Sequence, residues 1–266
     1  NGKIMKKKLL LFAAGALLAL TGYAQTVSGT CGANLTWTFE ESTRTLAISG
    51  TGDMTSAPWS SYSAAITNVT IGNGVTSIGS AAFYGCSGLR SVTIPNSVTS
   101  IGEWAFRSCS GLTSVSFAEN SVLETIGNGA FAYCLILTGI AMPASVTSIG
   151  SRAFETCVDL TSVTVEWQIP PEIPAECFLY VSVSDVKLIV PAGAAPAYRA
   201  AAIWQDFDII EAVTTGIDAV SASDPVISTH YYNLQGAAVK HPQTGQMYIA
   251  KETRQSGKTT TRKVLR

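Results

Sequence analysis

The sequence predicts a mainly β solenoid, a stack of short coils, and two observations support this fold class. A phrase that begins Val75-Thr-Ser-Ile-Gly in its first copy occurs four times, with spacings of 23, 25 and 23 residues between equivalent isoleucines. A fixed period in this range is typical of solenoids in which each repeat forms one coil. The same residue types also recur at fixed places in every copy: Ile78, Ile101, Ile126 and Ile149; Phe83, Phe106, Phe131 and Phe154; Cys86, Cys109, Cys134 and Cys157; Leu89, Leu112, Leu137 and Leu160.

Each copy predicts two strands joined by a helical turn. The Leu-x-x-Val-x-Ile segment, Leu89 to Ile94 in the first copy, predicts one strand, and Val-Thr-Ser-Ile predicts a shorter one. A short helical turn is expected around each Ala-Phe pair. One coil cannot bury enough apolar surface by itself, so the repeats are expected to fold together by stacking. Sharp turns with positive φ are expected at the four glycines that follow the isoleucines, Gly79, Gly102, Gly127 and Gly150.

Comparison of the four copies separates buried positions from exposed ones. The residue before each phenylalanine is always alanine, which predicts tight packing in the core. Two positions vary too much for one core pocket and are expected at the surface. They are the position two before phenylalanine, with Ala81, Trp104, Gly129 and Arg152, and the position after it, with Tyr84, Arg107, Ala132 and Glu155.

The regions on either side of the repeats predict caps for the solenoid, which is expected to span residues 66–215. Alternating apolar residues in residues 25–65 predict a β-hairpin that covers the first coil with the help of Trp59 and Tyr62. A degenerate fifth coil is expected at Cys177-Phe178 and the strand that follows. A short helix at residues 194–203 and the residues Trp204, Phe207 and Ile209 are expected to close the other end.

The pattern I-G-x-x-A-F-x-x-C-x-x-L-x-x-V-x-I resembles the BspA-like leucine-rich repeats of bacterial surface proteins, over roughly residues 66–168. Ser28-Gly-Thr-Cys-Gly and the segment from Val190-Pro-Ala-Gly193 to Phe207 resemble the regions that flank such repeats. The resemblance implies a leucine-rich-repeat solenoid with short helical turns and parallel strands. It also implies a role in cell-surface adhesion or ligand binding, and it does not imply an enzyme.

Both ends of the chain predict export. Residues 1–24 predict a signal peptide, of which residues 1–4 are upstream sequence. The prediction rests on a basic start, an apolar run from Leu9 to Leu20 and a cleavage site with small residues. No later segment is predicted to span a membrane. Residues 216–229 predict a linker, and residues 230–266 a small β module that resembles type IX secretion sorting domains; another kind of small β domain is the alternative. The expected location is the cell surface or the extracellular space, and whether the module is cleaved or anchors the protein stays open.

Charge and reactive residues exclude several function classes. Residues 25–215 contain six Lys or Arg and fifteen Asp or Glu, a balance of −9, which argues against binding nucleic acid. The two histidines, His230 and His241, lie outside the repeats, so no Ser-His-Asp or Cys-His arrangement is expected in the solenoid. Asp206 and Asp208 are expected to be solvated acids rather than a glycosidase pair. The sequence therefore predicts no enzyme, cofactor or metal, and buried free thiols rather than disulfides or metal ligands at the six cysteines.

Binding is the function that remains, and the sequence predicts where it occurs. The face of the long strands is small and rich in hydroxyl groups, about 300 Å² for five strands, whereas a standard protein interface takes about 800 Å² from each partner. A protein partner, from a host or a neighbouring cell, must therefore also contact a rim. Aromatic residues and arginine dominate binding hot spots, so the candidates are Trp104, Arg107, Tyr84, Arg90 and Arg152. The alternatives are a glycan that stacks on Trp104 and a passive structural or spacer protein.

Overall fold

The computed structural model describes residues 25–212, 226–233, 236–240, 242–243, 246–254 and 259–265. The predicted signal peptide and residues 216–225 of the predicted linker lie outside the described residues, and so do parts of the C-terminal module. Within the described part of the chain, no helix is long and apolar enough to cross a membrane.

The fold is a mainly β solenoid of about seven turns with little helix. Three strands precede it, β1 (Thr26–Gly32), β2 (Asn34–Glu40) and β3 (Thr45–Asp53). The solenoid strands, in chain order, are β4 (Asn68–Ile71), β5 (Val75–Ile78), β6 (Ser91–Ile94), β7 (Ser100–Ile101), β8 (Ser114–Phe117), β9 (Thr125–Ile126), β10 (Gly139–Met142), β11 (Ser148–Ile149), β12 (Ser162–Val165), β13 (Lys187–Val190) and β14 (Asp208–Glu211).

Each coil has three sides, two of which are parallel sheets. The longer strands form one sheet in the order β14-β13-β12-β10-β8-β6, and the shorter ones join β3 in the order β3-β5-β7-β9-β11. Equivalent residues pair in register, as in Val92 opposite Val115 and Ile101 opposite Ile126. Apolar side chains therefore stack in columns that run through the core, which confirms the strands predicted from the repeats.

The third side of the coil differs from the predicted helical turn. Between Gly102 and Cys109 there is no helix. Instead, successive N–H groups alternate between two kinds of acceptor. Phe106 N donates to Ala130 O of the next coil at 2.7 Å, whereas Arg107 N donates to Trp104 O of its own coil at 3.0 Å. Hydrogen bonds thus join neighbouring coils on this side as well, and a helical turn would have satisfied these groups locally instead.

Positive φ occurs on this third side, but at other residues than predicted. It occurs two residues before each phenylalanine, with φ of 52° to 57° at Ala81, Trp104, Gly129 and Arg152. The predicted glycines do not have positive φ. A Cβ on Gly102 or Gly127 would lie 2.7 Å from a backbone nitrogen of the preceding coil. Close approach of two coils, rather than positive φ, is therefore why these positions are glycine.

The phenylalanine column forms the centre of the core. Adjacent rings from Phe83 to Phe154 stack with centroids 5.0, 5.3 and 5.6 Å apart. Phe178 continues the stack at 5.1 Å, where the degenerate fifth coil was predicted. At the other end, Trp59 stacks on Phe83 at 6.0 Å and donates its Nε1–H to Ala82 O at 2.7 Å. Trp59 therefore takes the phenylalanine position of one more coil upstream of the four recognised copies.

All six cysteines are buried and free. The Sγ–H groups of Cys109, Cys134 and Cys157 donate to phenylalanine carbonyls of the preceding coil at 3.1 to 3.3 Å. Burial raises the pKa of the Cys86 and Cys157 thiols to about 12. These thiols therefore stay protonated and pack as small apolar groups, as the sequence predicts.

The segments predicted as caps lie on either side of the solenoid strands. At the N-terminal end, β2 and β3 form the expected antiparallel hairpin, to which β1 adds a third strand, and β3 pairs in parallel with β4 and β5. At the other end lies one short helix, α1 (Ala195–Ala200). Its Tyr198 hydroxyl donates to Trp167 O at 3.0 Å, and Trp204 Nε1 donates to Pro171 O at 2.8 Å.

The C-terminal module contains a separate four-stranded antiparallel sheet in the order β16-β15-β17-β18. Its strands are β15 (Val226–Tyr232), β16 (Ala238–Val239), β17 (Met247–Arg254) and β18 (Thr259–Leu265). The sheet begins within the predicted linker, four residues before residue 230.

Candidate ligand-binding site

The structure gathers four of the five candidate residues around one open depression, which we call the Trp104 depression. Its volume is about 530 Å³, and it lies on the third side of the solenoid, where the short strands end. Its lining consists of Tyr84, Glu103, Trp104, Arg107, Asn128, Gly129, Ser151 and Arg152. The fifth candidate, Arg90, is exposed directly before β6 and is not part of the lining. The depression is therefore built by four successive coils.

The indole ring of Trp104 is exposed but held in place. The residue is 46% exposed, and its backbone has a φ of 57°, which directs the side chain toward the next coil. The equivalent residue of that coil is Gly129, where a Cβ would lie only 2.8 Å from Trp104 Cδ1. The missing side chain at Gly129 thus makes room for the ring, which rests on the backbone of the neighbouring coil.

Arg107 is fixed by two groups on later coils. Its guanidinium lies 3.6 Å from Glu155 Oε2, and its Cζ is 4.7 Å from the centre of the Tyr133 ring. To reach Glu155 the side chain passes Ala132, which belongs to the coil between them and has 0% exposure. A cation over an aromatic face and beside a carboxylate has little freedom to move.

The expectation that the position after phenylalanine is exposed is therefore wrong for two of its four residues. Tyr84 is 50% exposed, whereas Ala132 and Glu155 are buried at 0% and 5%. The Arg107 guanidinium, 3.6 Å from Glu155 Oε2, supplies a cation beside this buried carboxylate. At the position two before phenylalanine, Trp104 and Arg152 are exposed as predicted, whereas Ala81 is half-buried and Gly129 is buried.

The remaining polar groups of the depression come from a position that the sequence analysis did not consider. Glu103, Asn128 and Ser151 are equivalent residues, each directly before the residue with positive φ. Asn128 Oδ1 accepts the Ser151 N–H at 2.9 Å, which leaves the Asn128 amide NH₂ directed elsewhere. This position also varies among the four copies, and that variability could have identified it as a surface position in the sequence.

The lining does not resemble a catalytic or metal site. Within the described residues, no group of three or more His, Cys, Asp or Glu side chains could hold a metal ion. The depression contains no histidine, cysteine or other activated nucleophile beside a base. Asp206 and Asp208 are exposed at the far end of the solenoid. What the arrangement offers is an aromatic surface and hydrogen-bonding groups.

A second depression, of about 550 Å³, lies where β8, β10 and β12 end. One of its walls is formed by Ala118 to Ser121, in the connection that is two residues longer than its counterpart after β6. The adjoining strand face presents small side chains, and Thr93 and Ser116 are hydrogen-bonded to each other at 3.0 Å. The strand face therefore carries the hydroxyl groups that the sequence predicts, but no exposed aromatic ring of the candidate set lies on it.

Comparison with known families identifies the repeats. Residues 60–185 match the family model of the BspA type leucine rich repeat region, in six copies. The match shows that this segment, which is slightly less than half of the chain, is similar to that family. The match begins six residues before the predicted start of the solenoid and one residue after Trp59. In this matched region, the Trp104 depression is formed by positions that vary among the chain's own repeats.

Solved structures of bacterial leucine-rich-repeat proteins are similar to the chain. One, from Bacteroides ovatus, has 20% identity and a TM-score of 0.45, with 59% of this chain and 54% of that chain covered. A leucine rich cell surface protein from Faecalibacterium prausnitzii has 18% identity and a TM-score of 0.41, with 88% and 60% covered. Another, from Eubacterium ventriosum, has 17% identity and a TM-score of 0.29, with 64% and 80% covered. None of these likenesses bears on a ligand. Among curated protein sequences, none is significantly similar to this chain.

Proposed function

We propose that this protein is a non-catalytic ligand-binding protein of the cell surface that mediates adhesion through the Trp104 depression. The observation that carries the proposal is the state of Trp104 itself. The residue is 46% exposed, and yet its ring lies so close to Gly129 that a Cβ there would be 2.8 Å from Trp104 Cδ1. An exposed aromatic ring with little freedom to lose is the kind of group that dominates binding sites.

The composition of the depression supports binding over catalysis. Its lining contains two arginines, a glutamate, an asparagine and a serine around one tryptophan and one tyrosine. Sites that bind compact ligands combine aromatic surface with a few fixed polar groups in a volume of about 300–1,000 Å³. The Trp104 depression fits this description, whereas it lacks the paired acid, base or nucleophile that a reaction needs.

Export is part of the proposal and rests on the sequence at both ends. The basic and apolar segments of residues 1–24 support a signal peptide. The small antiparallel sheet formed by β15 to β18 lies in the segment that resembles type IX secretion sorting domains. We assign this sheet the role of an export signal that is recognised after the solenoid has crossed the inner membrane.

The size of the depression also bears on how adhesion works. Eight residues line the depression, whereas a stable protein interface takes about 20–30 residues from each partner. Single contacts are therefore expected to be weak, with dissociation constants on the order of micromolar or higher. Many copies on one cell would turn such contacts into firm attachment, because each further contact forms at a high effective concentration.

The test is a binding screen with the mature protein, residues 25–266, coupled in many copies to a bead. The beads are applied to arrays of extracellular matrix proteins and glycans, and bound beads are counted. Trp104→Ala should abolish attachment. Tyr180→Ala should leave it unchanged, since Tyr180 is also an exposed aromatic residue, at 71%, but lies outside the depression. If the unsubstituted protein attaches to neither array, the protein is a passive spacer and the proposal is wrong.

A further inference from the structure

We propose that the ligand of the Trp104 depression is an uncharged oligosaccharide. This inference rests on the ligand-binding function proposed above and assigns its chemical class. Three features of the depression carry it. They are the aromatic ring of Trp104, a lining that both donates and accepts hydrogen bonds and whose charges are balanced by the buried Glu155, and a length that follows the coils.

The aromatic platform is the ring of Trp104, which differs in exposure from the other tryptophans. All five tryptophans of the chain lie within the described residues. Trp37, Trp59 and Trp204 are at most 4% exposed, and Trp167 is partly buried with its Nε1–H donated to Val146 O at 2.9 Å. Trp104 alone offers ring surface to a ligand. Sugar rings carry C–H groups on one face, and such an apolar face packs on an aromatic ring, while the hydroxyl groups at the rim stay free for polar contacts.

The polar groups match sugar hydroxyls rather than an anion. Each hydroxyl both donates and accepts hydrogen bonds, so its partners must supply both functions. Arg107 and Arg152 only donate, the carboxylate of Glu103 only accepts, and the Asn128 amide does both. A phosphate, sulfate or carboxylate ligand would need donors alone, and Glu103 would repel it.

The charge balance supports the same conclusion. Arg107 and Arg152 contribute two positive charges to the lining and Glu103 one negative charge, and Glu155 beside the lining adds a second negative charge and pairs with Arg107 at 3.6 Å. The sum is zero, and the Arg107 guanidinium is already committed to Glu155. The depression therefore does not select an anionic ligand by long-range attraction, as an excess of positive charge would.

The shape of the depression fits a chain of sugar units. Its residues come from four successive coils, from Tyr84 in the first to Arg152 in the fourth. Neighbouring coils repeat every 5.0 to 5.6 Å, as the phenylalanine rings show. One pyranose unit in an extended chain has about the length of one coil. An oligosaccharide that lies along the solenoid axis would thus place successive units on successive coils.

Isothermal titration calorimetry of the mature protein, residues 25–266, tests the assignment. The probes are neutral oligosaccharides of glucose, mannose and galactose, each from the disaccharide to the hexasaccharide, with hexasaccharides of uronic acids as anionic probes. We expect at least one neutral series to bind, with an affinity that rises up to about four units and then levels off, because the depression spans four coils. Binding should change less than twofold between 50 mM and 500 mM NaCl.

Three variants locate the binding. Trp104→Ala should weaken it at least tenfold, and Trp104→Phe should restore part of the loss, because it keeps a ring at the platform. Tyr180→Ala, an exposed aromatic residue outside the depression, should not change it. Far-UV circular dichroism of each variant checks that the solenoid is folded, so that loss of binding is not loss of structure.

The possible results separate this inference from the proposed function. Binding of uronic acid probes alone, or binding that salt abolishes, would overturn the uncharged class. Attachment to matrix proteins that requires Trp104, with no neutral sugar bound, would overturn the sugar assignment and leave the adhesion function standing. Neutral sugar binding that survives Trp104→Ala would place the site elsewhere and overturn the inference. Absence of any ligand on both arrays would overturn both.

Discussion

Replacing Gly127 by alanine tests why the solenoid has a glycine after the isoleucine of each repeat. A Cβ at this position would lie 2.7 Å from both Glu103 N and Gly102 C of the preceding coil. Ordinary contacts begin near 3.4 Å, so the two coils must separate by about 0.7 Å at this point. The glycine does not have positive φ. The whole cost of the substitution therefore comes from the separation of the coils.

The magnitude follows from the hydrogen bonds that the separation weakens. Gly127 N donates to Ile101 O of the preceding coil at 2.8 Å, next to the pair formed by β7 and β9. One or two such bonds, together with buried groups that lose their partners, amount to about 3–5 kcal/mol. For a domain of this size, 1 kcal/mol corresponds to roughly 2–4 °C. We expect a loss of about 10 °C in the melting temperature of residues 25–266, measured by circular dichroism.

The matched control is Gly85→Ala, because this glycine has the opposite properties. Gly85 has a φ of +69°, and a Cβ there would meet nothing within 4 Å. Its substitution should cost only the unfavourable left-handed backbone, about 1–2 kcal/mol. If Gly85→Ala lowers the melting temperature as much as Gly127→Ala does, then close approach of the coils is not what fixes the glycine.

Two further predictions concern buried charges and thiols. Burial raises the pKa of Cys86 from 9.0 to about 12. Because the thiol ionises at lower pH in the unfolded chain than in the folded one, its contribution to folding stability is complete below pH 9 and is lost as the pH rises toward 12. The melting temperature should therefore fall between pH 9 and pH 12. A constant melting temperature up to pH 12 would contradict this prediction. Arg107→Ala should lower the unfolding free energy by about 2–4 kcal/mol in urea titrations, because it leaves the Glu155 carboxylate buried without its cation. Glu155→Gln in the Arg107→Ala background should recover part of that loss, whereas Arg90→Ala, at an exposed arginine, should cost less than about 0.5 kcal/mol.

The sequence was sufficient to predict the solenoid, because its information lies in the period and in positions that never vary. Every coil repeats the apolar columns that form the core, so four copies served as four observations of one structure. The first coil was missed because Trp59 fills the phenylalanine position with a different residue type. The prediction of a helical turn was wrong, because the sequence of one repeat does not show the hydrogen bonds that form between coils.

The site was partly predictable for a related reason. Variable positions mark the surface, and this reasoning found Trp104, Arg107, Tyr84 and Arg152, which line one depression. The same reasoning could not exclude Arg90 from the site, because the sequence alone does not show on which side of the coil a residue lies. It also placed Glu155 at the surface, since the ion pair that buries this residue joins two different repeats.

The left-handed backbone that precedes each Ala-Phe pair makes the solenoid modular in an additional sense. This conformation occurs at Ala81, Trp104, Gly129 and Arg152 alike, so it is a property of the coil and does not depend on the side chain. Each coil therefore places one variable side chain along the same line of the surface, at steps of 5.0 to 5.6 Å. Removal of one whole coil between Trp104 and Arg152 would bring these two groups one step closer while preserving the stacking of the core. Gain or loss of repeats would then change the length of ligand that such a surface accepts in units of a single step, without a new fold.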